Sequence, residues 1–246
     1  MRWTHAKTLT IAALAVFGIL ATETRAASLL IDAFDTAQTL QANSGSPTDS
    51  GSVGPVAGII GGHRDTTANW TSGPNDVDVD IDTGTASAFD MSTGSDTLGN
   101  AKIQWDGGDG STVLNPTGLG GVDLTLASTL NAINLEVLFD DLPVDVILTV
   151  YTDGSNWSSA LLSLPGGIFS PQSESVLFSS FVAGAGAGAD FANVGAIELE
   201  ISTQFPATDL TLDFVESTFV PEPSSLALAG FGIVGLAAWG WRRRKR

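Results

Sequence analysis

The 246-residue sequence has no cysteine, only ten lysines and arginines, and two histidines. Without cysteine there is no disulfide framework, thiolate zinc site, iron–sulfur cluster or cysteine nucleophile. The shortage of cations is sharper than the count suggests, because eight of the ten sit at the two ends. Between residues 27 and 220 only Arg64 and Lys102 stand against 25 aspartates and glutamates, which is every acid except Glu23 and Glu222, so this stretch carries a formal charge of −23. A body of that sign repels a phosphate backbone, which excludes nucleic acid as a partner. One histidine, His63, remains beyond residue 26. It cannot supply the two or three imidazoles of a histidine metal site. A Ser-His-Asp triad would have to use it, and no Gly-x-Ser-x-Gly elbow is present to support one. Catalysis is poorly provided for, and the chain is expected not to be an enzyme.

Long apolar runs occur only near the ends. Residues 1–26 have the order of a secretory signal peptide: Arg2 and Lys7, then the 13-residue apolar run Leu9 to Ala21, then small residues at Thr24 and Ala26. A bilayer span needs about 20 apolar residues, so cleavage after Ala26 by signal peptidase, following export through the secretion translocon, is the expectation; an uncleaved anchor is the alternative. At the other end, Pro221-Glu222-Pro223 leads into 18 uncharged residues, Ser224 to Trp241, and then Arg242, Arg243, Arg244, Lys245 and Arg246. At ~1.5 Å per residue the run reaches ~27 Å, enough for a single transmembrane helix across a thin hydrocarbon core. The five cations hold that end in the cytoplasm and place everything before Pro221 outside. The two prolines disfavour a helix start and leave an extended segment ahead of the span.

This order of Pro221, Glu222 and Pro223, a short glycine-rich span and a basic terminus resembles the PEP-CTERM sorting signal over Val220 to Arg246, with all three parts present. The resemblance implies recognition by an exosortase, a membrane-embedded cysteine transpeptidase that cuts near the Pro-Glu-Pro. It also implies an inner-membrane precursor that is later transferred to the cell surface or extracellular matrix, in company with exopolysaccharide and biofilm formation. A plain single-pass anchor is the alternative. Residues 219–246 are therefore read as the sorting segment, and 27–218 as one extracytoplasmic domain.

That domain alternates short apolar–polar runs with clusters of glycine, proline, serine and aspartate, and holds no capped run of helical period. The pattern predicts an all-β sandwich or jelly roll, with strands at Ser28–Phe34, Asp76–Asp82, Ala101–Trp105, Ile133–Phe139, Val144–Tyr151, Ser175–Phe181, Ala196–Ile201 and Leu210–Val215. Strict alternation puts Val77, Val79 and Ile81 on a core face and Asp78, Asp80 and Asp82 on the other. Asn43–Gly54, Asp106–Gly110 and Gly184–Asp190 read as loops. Asp32–Asp35, Gly61–Asp65 and Asp190–Glu198 resemble, in layout, segments of galactose-binding-like jelly rolls of exported bacterial proteins.

Candidate sites follow from residue type. Arg64 and Asp65 are expected to form ion pairs with neighbours. Asp106 and Asp109, in a glycine turn with available carbonyls, are the candidate ligands for a structural Ca²⁺, the alternative being a solvated acidic face. Trp70 and Trp157, each in polar sequence, are the candidate platforms for a carbohydrate, whereas Trp105 ends an apolar-alternating strand. Three classes stay open: a non-enzymatic surface protein that binds exopolysaccharide, a carbohydrate-active hydrolase using two of the carboxylates, and a calcium-stabilised structural module.

Overall fold

The computed structural model describes residues 27–84 and 87–221, with Gly232 alone beyond them. The expected signal peptide, Glu222, Pro223, the expected span apart from Gly232 and the basic tail Arg242 to Arg246 lie outside the described residues. Among the described residues no helix is long and apolar enough to cross a membrane.

In chain order the strands are β1 (Leu29–Asp32), β2 (Gln38–Ala42), β3 (Thr48–Val53), β4 (Arg64–Ser72), β5 (Val77–Ile81), β6 (Phe89–Thr93), β7 (Leu98–Trp105), β8 (Ala132–Asp140), β9 (Val144–Asp153), β10 (Asn156–Leu164), β11 (Gln172–Leu177), β12 (Val182–Ala185), β13 (Ala196–Thr203) and β14 (Asp209–Thr218). They form two antiparallel seven-stranded sheets. The first runs β11-β8-β14-β6-β5-β2, with β1 also paired to β14; the second runs β12-β10-β9-β13-β7-β4-β3. All eight expected strands have a counterpart, although the one expected over Ser175–Phe181 stops at Leu177, where Phe178–Ser180 form a 3-10 turn, and the fold is an all-β sandwich. The sequence expectation missed β2, β3, β4, β6, β10 and β12. β3 lies within the expected loop Asn43–Gly54; it is an edge strand that buries none of its side chains, so Thr48-Asp-Ser-Gly-Ser-Val53 shows no apolar alternation.

The two sheets close on one apolar core. Val77, Val79 and Ile81 of β5 and Ile133, Leu135 and Val137 of β8 face Ile103 of β7, Val146 and Leu148 of β9 and Leu199 of β13, all buried. Asp78 and Asp80 point outward, as the alternation requires. Asp82, at φ 50°, has already left the strand.

Inside this core lies one charged pair. Arg64, at the start of β4, is fully buried and places Nη1 at 3.2 Å from both carboxylate oxygens of Asp32, at the end of β1. Asp32 also accepts hydrogen bonds from the Trp105 indole N–H (2.8 Å) and the Phe34 amide (2.8 Å). Arg64 Nη2 donates to the Thr36 carbonyl at 2.7 Å, and its guanidinium lies 5.7 Å from the Phe34 ring centre. Burial raises the Asp32 carboxyl even against the Arg64 charge, so this node is costly to assemble and costlier to break. The expected ion pair is therefore found for Arg64, which ties two of the segments singled out in the sequence, 32–35 and 61–65. Asp65 points to the other face of the sheet.

Candidate functional site

In the second sheet, alternation turns Ala101, Ile103 and Trp105 of β7, Ile197, Leu199 and Ile201 of β13, and Val146, Leu148 and Val150 of β9 into the core. The residues between them must face outward. Register sets these into rows across the strands. Tyr151 stands between Ala196 and Trp157. The next row is Ser52, Asp65, Gln104, Glu198, Thr149 and Ser159, and the one after it Ser50, Thr67, Lys102, Glu200, Ile147 and Leu161.

These rows carry a connected polar network beside apolar surface. Gln104 Nε2 donates to Glu198 Oε2 at 2.7 Å, while Lys102 Nζ lies 3.3 Å from Glu198 Oε1 and 3.8 Å from Glu200 Oε2. Burial, and then the charge of Glu198, push the Tyr151 hydroxyl up to about 12, so it remains an O–H donor at any physiological pH. The six-membered ring of Trp157 rests on the backbone of Gly184 in β12, where any Cβ would collide with it. Its other neighbour is Tyr151, at 6.0 Å between ring centres and 37° between planes. Ile147 and Leu161, paired across β9 and β10, leave apolar surface in water, Leu161 to 63%. The two rings, Lys102, Glu200, Ile147 and Leu161 thus reach solvent on one face, with the Gln104–Glu198 pair buried beneath them.

A carboxylate pair sits at the same end of this face. Asp65 is 2% and Asp106 1% exposed. The Asn115 amide donates to Asp106 Oδ2 at 2.6 Å, but Asp106 Oδ1 and both Asp65 oxygens meet no donor. Burial raises both groups, with Asp109 adding to the effect, and Asp106 is pushed up to about 6. Two acceptor-only groups at hydrogen-bonding distance are satisfied when one is protonated. As pH falls through about 6, Asp106 takes up the proton and donates to Asp65.

Asp106 and Asp109 are not brought together as one ligand set. Asp106 turns inward to Asp65, whereas Asp109 lies on the exposed turn and accepts from the Ser111 amide at 2.8 Å. Among the described residues no group of three or more His, Asp or Glu side chains is placed to hold a metal ion. Trp70 and Trp157 are also apart. Trp70 follows Ala68 on the inward side of β4, packs against the core, and leaves its Nε1 buried without an acceptor. Trp157 is half-exposed on the outer face of β10. Tyr151, Gln104, Glu198 and Lys102 were missed. The Ile-Glu-Leu-Glu-Ile alternation of residues 197–201 carried a signal for Glu198 and Glu200, but nothing in it names their cross-strand neighbours.

Several solved structures share a broad likeness with the chain. A family 11 carbohydrate-binding module from Clostridium thermocellum, in complex with a β-1,3-1,4-mixed-linked tetrasaccharide, is 11% identical over 79% of this chain and 97% of its own, with a TM-score of 0.38. An exo-β-agarase is 12% identical over 63% of this chain and 23% of its own, with a TM-score of 0.40. TmCBM61, in complex with β-1,4-galactotriose, is 7% identical over 74% of this chain and 88% of its own, at 0.27. No curated protein matches the chain. At the C-terminus, residues 219–245 match the PEP-CTERM protein-sorting motif, and the chain carries that motif directly after its β-sandwich.

Proposed function

We propose that this chain is a non-enzymatic surface or matrix protein that binds neutral exopolysaccharide on the outer face of its second sheet. The sorting motif implies an exported, membrane-anchored precursor processed by an exosortase. The observation that carries the binding reading is the Tyr151–Trp157 ring pair in register beside the Gln104–Glu198–Lys102 network. Sugar rings present apolar C–H faces ringed by hydroxyls, and this surface offers rings for the former and the part-exposed Lys102 and Glu200, braced from below by Glu198, for the latter. The ligand class follows from charge. Both cations of the body sit in ion pairs, Arg64 buried with Asp32 and Lys102 with Glu198 and Glu200, so nothing offsets the repulsion of an anionic glycan.

Affinity electrophoresis through gels containing neutral or uronate-rich polysaccharide tests this. Retardation by a neutral polymer, lost in Trp157→Ala, is expected. Equal mobility in every gel would remove the reading.

A further inference from the structure

The first residues of the sorting motif are held to the body by one side chain. Strand β14 is flanked over its length, by β8 on one side and by β6 and β1 in succession on the other. Its final register pair is Thr218 with Ala132. The Asn131 amide N–H then donates to the Thr218 carbonyl at 3.0 Å. Two residues further on, the Asn131 side chain takes over. Its Nδ2 donates to the Val220 carbonyl at 2.9 Å and its Oδ1 accepts from the Val220 amide at 2.8 Å. A carboxamide has the donor and acceptor of a peptide group, so Asn131 stands in for a strand partner one step past the end of the sheet. Asn131 is itself fixed, because its carbonyl accepts from the Phe178 amide at 2.8 Å. Val220 is half-buried, whereas Phe219 and Pro221 are exposed. Pairing cannot pass Val220, since Pro221 has no N–H to donate.

We propose that Asn131 is a clasp that sets the inner boundary of the processing site. Processing enzymes that take their substrate as an extended strand need both edges of the backbone, and at Val220 one edge is occupied by Asn131. The chain free to enter such an enzyme begins at Pro221, so the mature protein ends at Pro221 or beyond and keeps Val220 clasped. The clasp also places the sorting motif directly against the folded body, with no linker between them. Ser217 near the end of β14 donates to the Leu124 carbonyl, Val122 pairs with Val194, and the Gly195 amide donates to the Tyr151 carbonyl, so β14 leaves the sandwich at the end bearing Tyr151 and Trp157.

Two measurements decide the proposal. The first is the C-terminal residue of the mature protein from producing cells, by peptide mass mapping. A terminus at Pro221 or later is expected, and one at Val220 or earlier overturns the clasp. The second uses the full chain in detergent, treated with a broad-specificity protease and followed by hydrogen exchange. Wild type is expected to be trimmed no further than Val220. In Asn131→Ala, trimming reaches Thr218 and the Val220 amide exchanges roughly tenfold faster, for two lost hydrogen bonds, while Leu212, Val215 and the melting temperature are unchanged. Asn131→Asp, which keeps the acceptor and loses the donor, falls between. Identical trimming and exchange in all three chains overturns the proposal.

Discussion

Asp106 and Asp65 make the folded body an acid-stabilised one at the level of single residues. The folded pKa of Asp106 is about 6, above an ordinary 3.8, and that of buried Asp140 is also raised to about 6, by burial and then by Asp141. The sign of the linkage follows. From pH ~4 to ~6 the folded state holds protons that the unfolded chain has released, so this contribution is full below the unfolded value and is lost as pH rises through the folded one. The melting temperature should climb as pH falls from 8 to 5. In Asp106→Asn the amide can donate permanently to Asp65 and still accept from Asn115. Thermal melts of this variant should show a higher midpoint at pH 8 and a flatter pH slope, Asp140 supplying what remains; an unchanged slope would mean the shared proton is absent. Arg64 gives the opposite case. Arg64→Ala leaves Asp32 buried without its cation and should cost about 3–5 kcal/mol in urea denaturation, and a loss below ~1 kcal/mol would contradict the account of the node.

At the scale of elements, legibility followed how each strand is buried. β5 could be read because its core face is Val, Val and Ile and its other face is aspartate. β12 could not, because Val182-Ala-Gly-Ala185 is a short edge strand with no buried side chain. β10 shows no apolar alternation around Trp157, since its inward Ser158 takes a core position by accepting the Ala189 amide instead of by being apolar. The candidate site was half legible for a related reason. Trp157 could be picked out as an aromatic in polar sequence, but its pairing with Tyr151 and the meeting of Gln104 with Glu198, 94 positions apart, are set by register between distant strands. Gly184 matters only through that register as well. Gly184→Ala should lift Trp157 from its seat, shift its emission to the red and weaken polysaccharide retardation several-fold, with the fold retained by circular dichroism. Unchanged emission would show that the ring does not rest there.

Across the whole molecule, a charge of −23 over residues 27–220 acts with a range of ~30 Å at low ionic strength and ~10 Å at 0.1 M. Added salt should therefore raise the melting temperature. Because Asp106 is engaged with Asp65 and Asn115 while Asp109 lies apart on the turn, calcium and magnesium should stabilise equally at matched ionic strength. A calcium-specific gain would show that the two aspartates gather around an ion after all. On the proposed reading the same field makes the outer face of the second sheet select neutral over anionic glycans. That reading is tested most directly by affinity electrophoresis of the mature protein, its Trp157→Ala variant and its Glu198→Gln variant through neutral and uronate-rich polysaccharide at 0.1 M salt. Wild type alone is expected to be strongly retarded, and only by a neutral polymer. Retardation by the anionic polymer, or retardation that survives both substitutions, would contradict the reading.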